Sequence, residues 1–267
     1  MAEELEIQHV DRLPELLRTS GGEPRLVIAA GGDGTVGSVA GRLAGADNAL
    51  GILPLGTGND FARSLDIPLN PRRAARLLVS GEISSVDLGR LTRPGQPPVY
   101  FAHAATVGLN VDFAKLATRA SVRGRLGRLT YLAAAVYALR ERATFTCTLQ
   151  HDGVVDEVSL LQLSVISAPV IGGALGLTLR GPHPAEHRLD VLAVEDLPPH
   201  KMLRAGLFLL LGISRPVAGA RALQVERLGV DSPNLLGLSL DGELHGNLPG
   251  QFEAVAGALR VVTPRRS

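Results

Sequence analysis

The sequence is poor in three features that would assign it to a specialised class: cysteine, an excess of charge of one sign, and long apolar runs. Its one cysteine, Cys147, excludes a disulfide within the chain, favours a reducing compartment and is interpreted as a packing residue. The formal net charge of +1 gives no general attraction to nucleic acid. Residues 1–17 are acidic and lack the apolar segment of a signal peptide. The longest apolar run, residues 207–213, is far short of the roughly 20 residues that a membrane span needs. The sequence therefore predicts a cytoplasmic protein whose contact with a membrane is peripheral.

The first third of the chain alternates between strand-like and helix-like segments. Short apolar runs at residues 24–30 and 48–56 predict buried strands, and the spacing at residues 36–45 and 71–82 predicts helices, the second ended by Gly81. Strands that alternate with helices indicate a parallel sheet with covering helices, in which ligands bind at the carboxyl ends of the strands. From about residue 83 the chain becomes a series of short alternating segments, which predicts an antiparallel sandwich interrupted by two helical stretches at residues 125–142 and 199–213.

A glycine-rich loop with an internal carboxylate follows each of the first two strands. In the first loop, "GGDGT" at residues 31–35, the glycines free the backbone to present N–H groups to an anion such as phosphate at the start of a helix. Asp33 would repel phosphate unless a divalent cation lies between them, and this favours a nucleotide with magnesium. The alternative is a simple strand-to-helix turn that Asp33 caps. The second loop, in "LPLGTGNDFARSLDIP" at residues 53–68, repeats the arrangement, so both loops are expected to converge on one crevice.

Two further carboxylate sites have local patterns that leave their role open. Asp87 stands where the chain leaves the first domain, and it either reaches the same crevice or serves as a turn or strand-end aspartate. Asp241 and Glu243 lie at the tip of a strand in "LSLDGELHG", and by itself their Asp-Gly pair predicts a hairpin turn more strongly than chemistry.

Together these motifs resemble the diacylglycerol kinase catalytic domain family, and more narrowly the bacterial lipid kinases related to diacylglycerol and sphingosine kinases. The resemblance rests on "GGDGT", "LPLGTGNDFARSLDIP", "VDLG" at 86–89, "YFAHAATVGL" at 100–109 and "LDGE" at 240–243, in the family's order. It implies an α/β nucleotide-binding domain over residues 1–88, to which residues 250–267 return, and a β-sandwich lipid-substrate domain over residues 89–249. It also implies an ATP- and Mg²⁺-dependent kinase that phosphorylates a hydroxyl group of a diacylglycerol-like lipid.

The resemblance also implies roles for individual residues. Asp241 would be the general base, Glu243 would support it or the nucleotide, and Asp33 is a second candidate for the base. The magnesium carboxylates would be Asp33, Asp60 and Asp87. The nucleotide would contact the residues of the two glycine loops: Gly31, Gly32, Asp33, Gly34, Thr35, Gly56, Thr57, Gly58, Asn59 and Asp60. The expected partner is a lipid at the inner membrane face, with no nucleic acid, and a homodimer is an open possibility.

Several positions depart from the family pattern. The chain starts inside a region where the family usually has another strand and helix with an Asn-Pro motif, Gly37 and Ser38 replace a common Asn-Glu, and His103 replaces Asn. Glu186 stands where some bacterial members place the aspartate of a structural magnesium site. His103 and His187 are isolated in the sequence and are interpreted as surface or hydrogen-bonded histidines.

The helical stretch at 119–142 carries arginines that either dock on anionic lipids or begin a core helix: Arg119, Arg123, Arg125 and Arg128. Two rival functions remain: a degenerate nucleotide-binding sensor or scaffold, and an NAD kinase, which shares "GGDGT" but not the second loop.

Overall fold

In a computed structural model of the chain, residues 7–19, 23–108, 144–168, 187–196, 198 and 220–265 are described. The chain begins with a 3-10 helix, Ile7–Arg12, and four α-helices follow: α1, Leu13–Thr19; α2, Asp33–Leu43; α3, Asp60–Ser64; and α4, Pro71–Ser80. The first strands are β1, Leu26–Gly31; β2, Ala49–Pro54; and β3, Glu82–Thr92. These elements alternate as the sequence pattern predicts.

The first two strands form the parallel part of the sheet. β1 pairs in parallel with β2 from Leu26 opposite Ala49 to Gly31 opposite Pro54, so the two glycine loops leave the same edge of the sheet. α2 packs on β1 and β2, and α4 packs so closely over β2 that a side chain on Gly51 would collide with Leu78. Leu26 and Ile28 of β1 remain 45% and 49% exposed, so the helices cover β2 more completely than β1.

The remaining strands are predominantly antiparallel. They are β4, Val99–Phe101; β5, Ala104–Gly108; β6, Phe145–His151; β7, Val154–Ile166; β8, Leu189–Glu195; β9, Ala220–Val225; β10, Arg227–Asp231; β11, Gly237–Leu240; β12, Glu243–Asn247; and β13, Gly250–Thr263. Hydrogen bonding runs in the order β1-β2-β13-β10-β6-β7-β5-β11-β12, with β3 and β4 branching from β13, and β8 and β9 from β7.

Strand β13 connects the two halves of the molecule. Its first residues pair antiparallel with β10, whereas Arg260 and Val261 near its end pair in parallel with β2. β3 runs antiparallel beside β13 with a bulge between Val255 and Leu259. The C-terminal strand is therefore part of both the α/β half and the sandwich half.

Each half has its own apolar core. One core lies between the helices and the parallel strands and includes Leu43, Leu50 and Phe61. The other lies within the antiparallel strands and includes Phe101 and Phe252, whose rings meet edge to face with centroids 6.3 Å apart. Two cores confirm the predicted fold of an α/β unit followed by a β-sandwich. The exact domain boundaries stay a prediction.

Several expectations from the sequence can be placed directly. Cys147 is fully buried on β6, and burial raises the pKa of its thiol to about 11, as expected for a packing residue. In the part of the chain that the structure describes, no helix is long and apolar enough to cross a membrane. The predicted helical stretches at 125–142 and 199–213, the arginines of 119–128 and Glu186 lie outside the described residues.

Candidate functional site

The two glycine loops contact each other backbone to backbone. A side-chain carbon on Gly56 would lie 2.4 Å from the Cα of Gly32, and one on Gly32 would lie 3.1 Å from the Cα of Gly56. Only residues without a side chain allow this approach. The convergence expected for two loops on neighbouring parallel strands is present in the structure, and it brings the start of α2 beside the start of α3.

Asp33 connects the first loop to the second. Its Oδ1 accepts a hydrogen bond from the backbone N–H of Phe61 at 3.1 Å, in the first turn of α3. Its Oδ2 lies so close to Gly58 that a side-chain carbon there would be 2.8 Å from it, while the same carbon would lie 3.6 Å from Oδ1 of Asp60. The carboxylates of Asp33 and Asp60 therefore both lie beside the Cα of Gly58. Asp33 caps α3, whereas the alternative of a simple strand-to-helix turn predicted that it caps α2.

Asn59 holds the second loop in shape. Its side-chain amide donates to the carbonyl of Gly56 at 2.8 Å, and its Oδ1 accepts from the N–H of Gly56 at 3.0 Å. Asn59 is buried and has a φ of 53°, a left-handed conformation that asparagine tolerates better than most residues. Thr57, at the centre of the loop, is exposed. The loop is thus a rigid turn with an exposed tip.

The hairpin between β11 and β12 lies against the first turns of α2. Asp241 and Gly242 form its two-residue turn with φ of 48° and 90°, the conformation that an Asp-Gly hairpin requires, so the turn predicted from the sequence is present. The turn also packs on the glycine-rich helix. A side chain on Gly37 would lie 2.3 Å from Oδ2 of Asp241, and Ser38 Oγ donates to Oε2 of Glu243 at 3.5 Å. The structure therefore joins the motifs at residues 31–35 and 240–243.

The Asp241 carboxylate is held by the backbone between β4 and β5. Its oxygens accept hydrogen bonds from the N–H groups of Ala102, His103 and Ala104 at 2.8, 2.8 and 3.0 Å. Burial raises the pKa of Asp241, and the three N–H donors together with the nearby His103 ring lower it, with burial the larger effect. The carboxyl group is consequently oriented and more basic than an ordinary aspartate.

His103 lies between Asp241 and the second glycine loop. Its side chain is only 12% exposed, and Nε2 lies 3.6 Å from Oδ2 of Asp60. His103 is isolated only in the sequence, and its low exposure does not agree with the surface alternative of the sequence interpretation. A contact between residues so far apart in the chain leaves no periodic signal in the sequence. The one sequence signal at position 103 is that His103 stands where the family usually has Asn.

Asp87 stabilises a different contact. One oxygen accepts from the N–H of His187 at 2.9 Å and lies 2.8 Å from its ring Nδ1, and the other accepts from the N–H of Gly257 at 2.8 Å. Gly257 lies in the bulge of β13 and has a φ of 56°. Asp87 therefore ties the bulge to the segment that precedes β8, and His187 is the hydrogen-bonded histidine that the sequence predicts.

The structure thus brings several predicted site residues together. The loops, Asp33, Asp60, Asp241 and Glu243 gather around the start of α2. Within the described residues no group of three His, Cys, Asp or Glu side chains forms a metal-binding cluster. The joint assignment of Asp33, Asp60 and Asp87 to magnesium stays a prediction.

Comparison with known families matches both halves of the chain. The model of the diacylglycerol kinase catalytic domain matches residues 3–91, and the model of the YegS C-terminal NAD kinase beta sandwich-like domain matches residues 104–263. The two matches agree with the α/β half and the sandwich half of the fold.

Individual relatives cover most of the chain. It is 30% identical over 241 residues to a protein named diacylglycerol kinase from Mycobacterium tuberculosis, covering 90% of this chain and 77% of that protein. It is 28% identical over 245 residues to a Bacillus subtilis protein of the same name, covering 90% of this chain and 78% of that one. A crystal structure of a diacylglycerol kinase from Bacillus anthracis shares the fold with a TM-score of 0.67 at 20% identity, covering 98% of this chain and 84% of that one.

Proposed function

The chain belongs to the diacylglycerol kinase catalytic domain family, a family of lipid kinases, and on that premise we propose that it transfers the γ-phosphoryl group of ATP to a hydroxyl group of a diacylglycerol-like lipid. The observation that carries this proposal is the packing of the Asp241–Glu243 hairpin on the start of α2. This packing supports the proposal because it brings Asp241, the proposed proton acceptor, next to the glycine-rich start of α2, the proposed phosphate-binding segment. Phosphoryl transfer requires mainly this kind of positioning and charge stabilisation from a protein.

The glycine loops support the nucleotide part of the proposal. The N-terminus of an α-helix offers N–H groups without intrahelical partners and the positive end of the helix dipole, both of which attract phosphate. The N-cap of α2, Gly32, has no side chain to occupy that position, and the exposed tip of the second loop at Thr57 lies alongside. Gly31 to Thr35 and Gly56 to Asp60 are the residues proposed to hold ATP.

The two carboxylates beside Gly58 fit magnesium better than Asp87 does. Asp33 and Asp60 offer oxygen ligands from both loops, the donor type that Mg²⁺ prefers. Both oxygens of Asp87 already accept hydrogen bonds. When bound, the metal would neutralise phosphate charge. Asp33 and Asp60 are therefore proposed as its direct holders, and Asp87 as a support for the surrounding backbone.

Asp241 is the proposed general base. A lipid hydroxyl is a poor nucleophile until a carboxylate in hydrogen-bond reach accepts its proton. The three N–H groups orient the carboxylate of Asp241, and burial raises its pKa, which makes it a stronger acceptor. Asp33 is the second candidate, although its hydrogen bond to Phe61 and its closeness to Gly58 suit a metal-binding role better.

The substrate and the membrane surface are the remaining parts of the proposal. We propose peripheral binding to the inner face of the membrane, where the lipid is found. The sensor and NAD kinase alternatives are tested by the same experiment, and the molar mass of the protein in solution tests a homodimer. The experiment measures transfer of radiolabelled phosphate from ATP with Mg²⁺ to diacylglycerol, monoacylglycerol, sphingoid base and ceramide in vesicles, with NAD as a separate acceptor. The proposal predicts labelled lipid and unlabelled NAD. Nucleotide binding without labelled lipid would favour the sensor.

A further inference from the structure

One residue, His103, contacts both sides of the proposed transfer site. We propose, resting on the proposed kinase function, that His103 is a positioning residue that sets the location of Asp241 relative to Asp60, and through it the alignment of lipid hydroxyl and phosphate. Residues 102 and 103 form the short link between β4, which pairs with β3, and β5, which pairs with β7 and β11. The link therefore lies where the chain passes from one part of the sheet to the other.

The backbone of His103 is held from two directions. Its N–H donates to Oδ1 of Asp241 at 2.8 Å. Its carbonyl accepts from the backbone N–H of Ser167 at 2.9 Å and from the hydroxyl of Ser167 at 3.3 Å, at the end of β7. The peptide groups on either side of His103 consequently have little freedom, and its side chain leaves the backbone in a defined direction.

The side chain extends that rigid link to the second glycine loop. The imidazole is 12% exposed, and its Nε2 lies 3.6 Å from Oδ2 of Asp60. The other ring nitrogen, Nδ1, is buried and has no hydrogen-bond partner among the described residues. A buried ring with one nitrogen directed at Asp60 acts as a spacer between that carboxylate and the backbone that holds Asp241.

The physical reason for a catalytic effect is alignment. Reactants that are bound but displaced by about 1 Å can lose on the order of 100-fold in rate, because the productive geometry is narrow. Removal of the ring nitrogens would remove the contact between His103 and Asp60 without removing the ring's volume. The expected signature is a fall in kcat that exceeds any rise in the KM for ATP, because the other residues of the two loops would still hold the nucleotide while Asp60 is displaced.

The first test uses three variants in the lipid phosphorylation assay. His103→Phe keeps the ring volume and removes the nitrogens, and His103→Gln keeps a polar group of similar reach. His151 provides a matched control: its side chain is also 12% exposed, its Nδ1 lies 3.6 Å from Oδ2 of Asp152, and it lies in the β6–β7 hairpin. We expect kcat to fall by about 10- to 100-fold in His103→Phe and less in His103→Gln, with parent values in His151→Phe. The proposal would be overturned if His103→Phe had the kcat of the parent chain, or if His103→Phe and His151→Phe lost kcat equally.

A second test separates this proposal from the kinase function. If His103 acts through Asp60, the ring ¹⁵N chemical shifts of His103 should change in Asp60→Asn at constant pH, while those of His151 stay the same. In the kinetic counterpart of this test, the double variant with His103→Phe and Asp60→Asn should have a kcat no lower than that of Asp60→Asn alone. If the parent chain phosphorylates no lipid, the proposed kinase function is wrong. The chemical shifts would still show whether His103 contacts Asp60. Unchanged His103 shifts, or additive kinetic losses, would overturn this proposal.

Discussion

Substitution of Gly37 by alanine tests the contact on which the proposed site depends. The added carbon would lie 2.3 Å from Oδ2 of Asp241 and 2.9 Å from its Cβ and Cγ. Carbon and oxygen atoms do not approach closer than about 3.3 Å without a cost, so the carboxylate must move by about 1 Å. Hydrogen bonds to Asp241 that now measure 2.8 to 3.0 Å would then be weakened or broken.

The expected change in the free energy of unfolding combines two costs and one gain. Overpacking costs about 1–3 kcal/mol, and weakened hydrogen bonds to a charged acceptor cost about 1 kcal/mol or more. Alanine in place of glycine in a helix returns about 1 kcal/mol. We therefore expect a loss of about 1–3 kcal/mol in the free energy of unfolding, which lowers Tm by roughly 3–10 °C for a chain of this size. Lipid phosphorylation should fall by about 100-fold, because the proposed base is displaced.

The assay is thermal unfolding of the parent chain, Gly37→Ala and Gly34→Ala. Gly34 lies in the same helix, and a side chain there would find its nearest neighbours at 3.8 and 3.9 Å, an ordinary contact distance. Gly34→Ala should therefore match or exceed the parent in Tm. Equal Tm values for the two alanine variants would contradict the contact between Asp241 and Gly37.

Three further predictions concern other parts of the site. Asn59→Asp replaces the amide that donates to the Gly56 carbonyl by a repelling oxygen, so it should lower stability by about 1–3 kcal/mol and weaken ATP binding; unchanged values in thermal unfolding and nucleotide titration would contradict the clamp. Burial raises the pKa of Asp241, so a pH profile should show kcat falling with decreasing pH at values above the ordinary aspartate range near 4; an acid limb at or below that range would argue against Asp241 as the base. Asp87→Ala removes the buried carboxylate that accepts hydrogen bonds from the N–H groups of His187 and Gly257, so denaturant unfolding should show a loss of about 1–3 kcal/mol; parent stability would contradict the structural role.

The fold could be predicted from the sequence because its signals are local. Apolar runs bounded by glycine and proline mark β1 and β2, and the spacing of small apolar residues marks α2. The Asp-Gly pair at residues 241–242 specifies a hairpin turn through its backbone conformation. Convergence of the glycine loops also follows from local patterns, since the carboxyl ends of parallel strands share one edge of a sheet.

The contacts that complete the site could not be predicted in the same way. The hairpin tip and α2 are separated by about two hundred residues, and the spacing from Ser38 to Glu243 is 205. Nothing in the local pattern of either segment specifies the other, so the family resemblance alone joined them. The ties of Asp87 to His187 and of His103 to Asp60 depend on where the bulge of β13 and the β4–β5 link place those backbones. Such placements are decided by packing of the whole sheet.

The most direct test of Asp241 as the general base of a lipid kinase compares lipid phosphorylation by Asp241→Asn and by the parent chain at equal nucleotide occupancy. Asp231→Asn is the matched control, because Asp231 ends β10 in the sandwich and its carboxylate accepts from its neighbour Ser232. Removal of a general base costs about 100- to 10,000-fold in rate. If Asp241 is the general base, Asp241→Asn should show a loss of that size with retained ATP binding, and the control should keep the activity of the parent chain. Parent rates of phosphate transfer to diacylglycerol in Asp241→Asn would contradict that role.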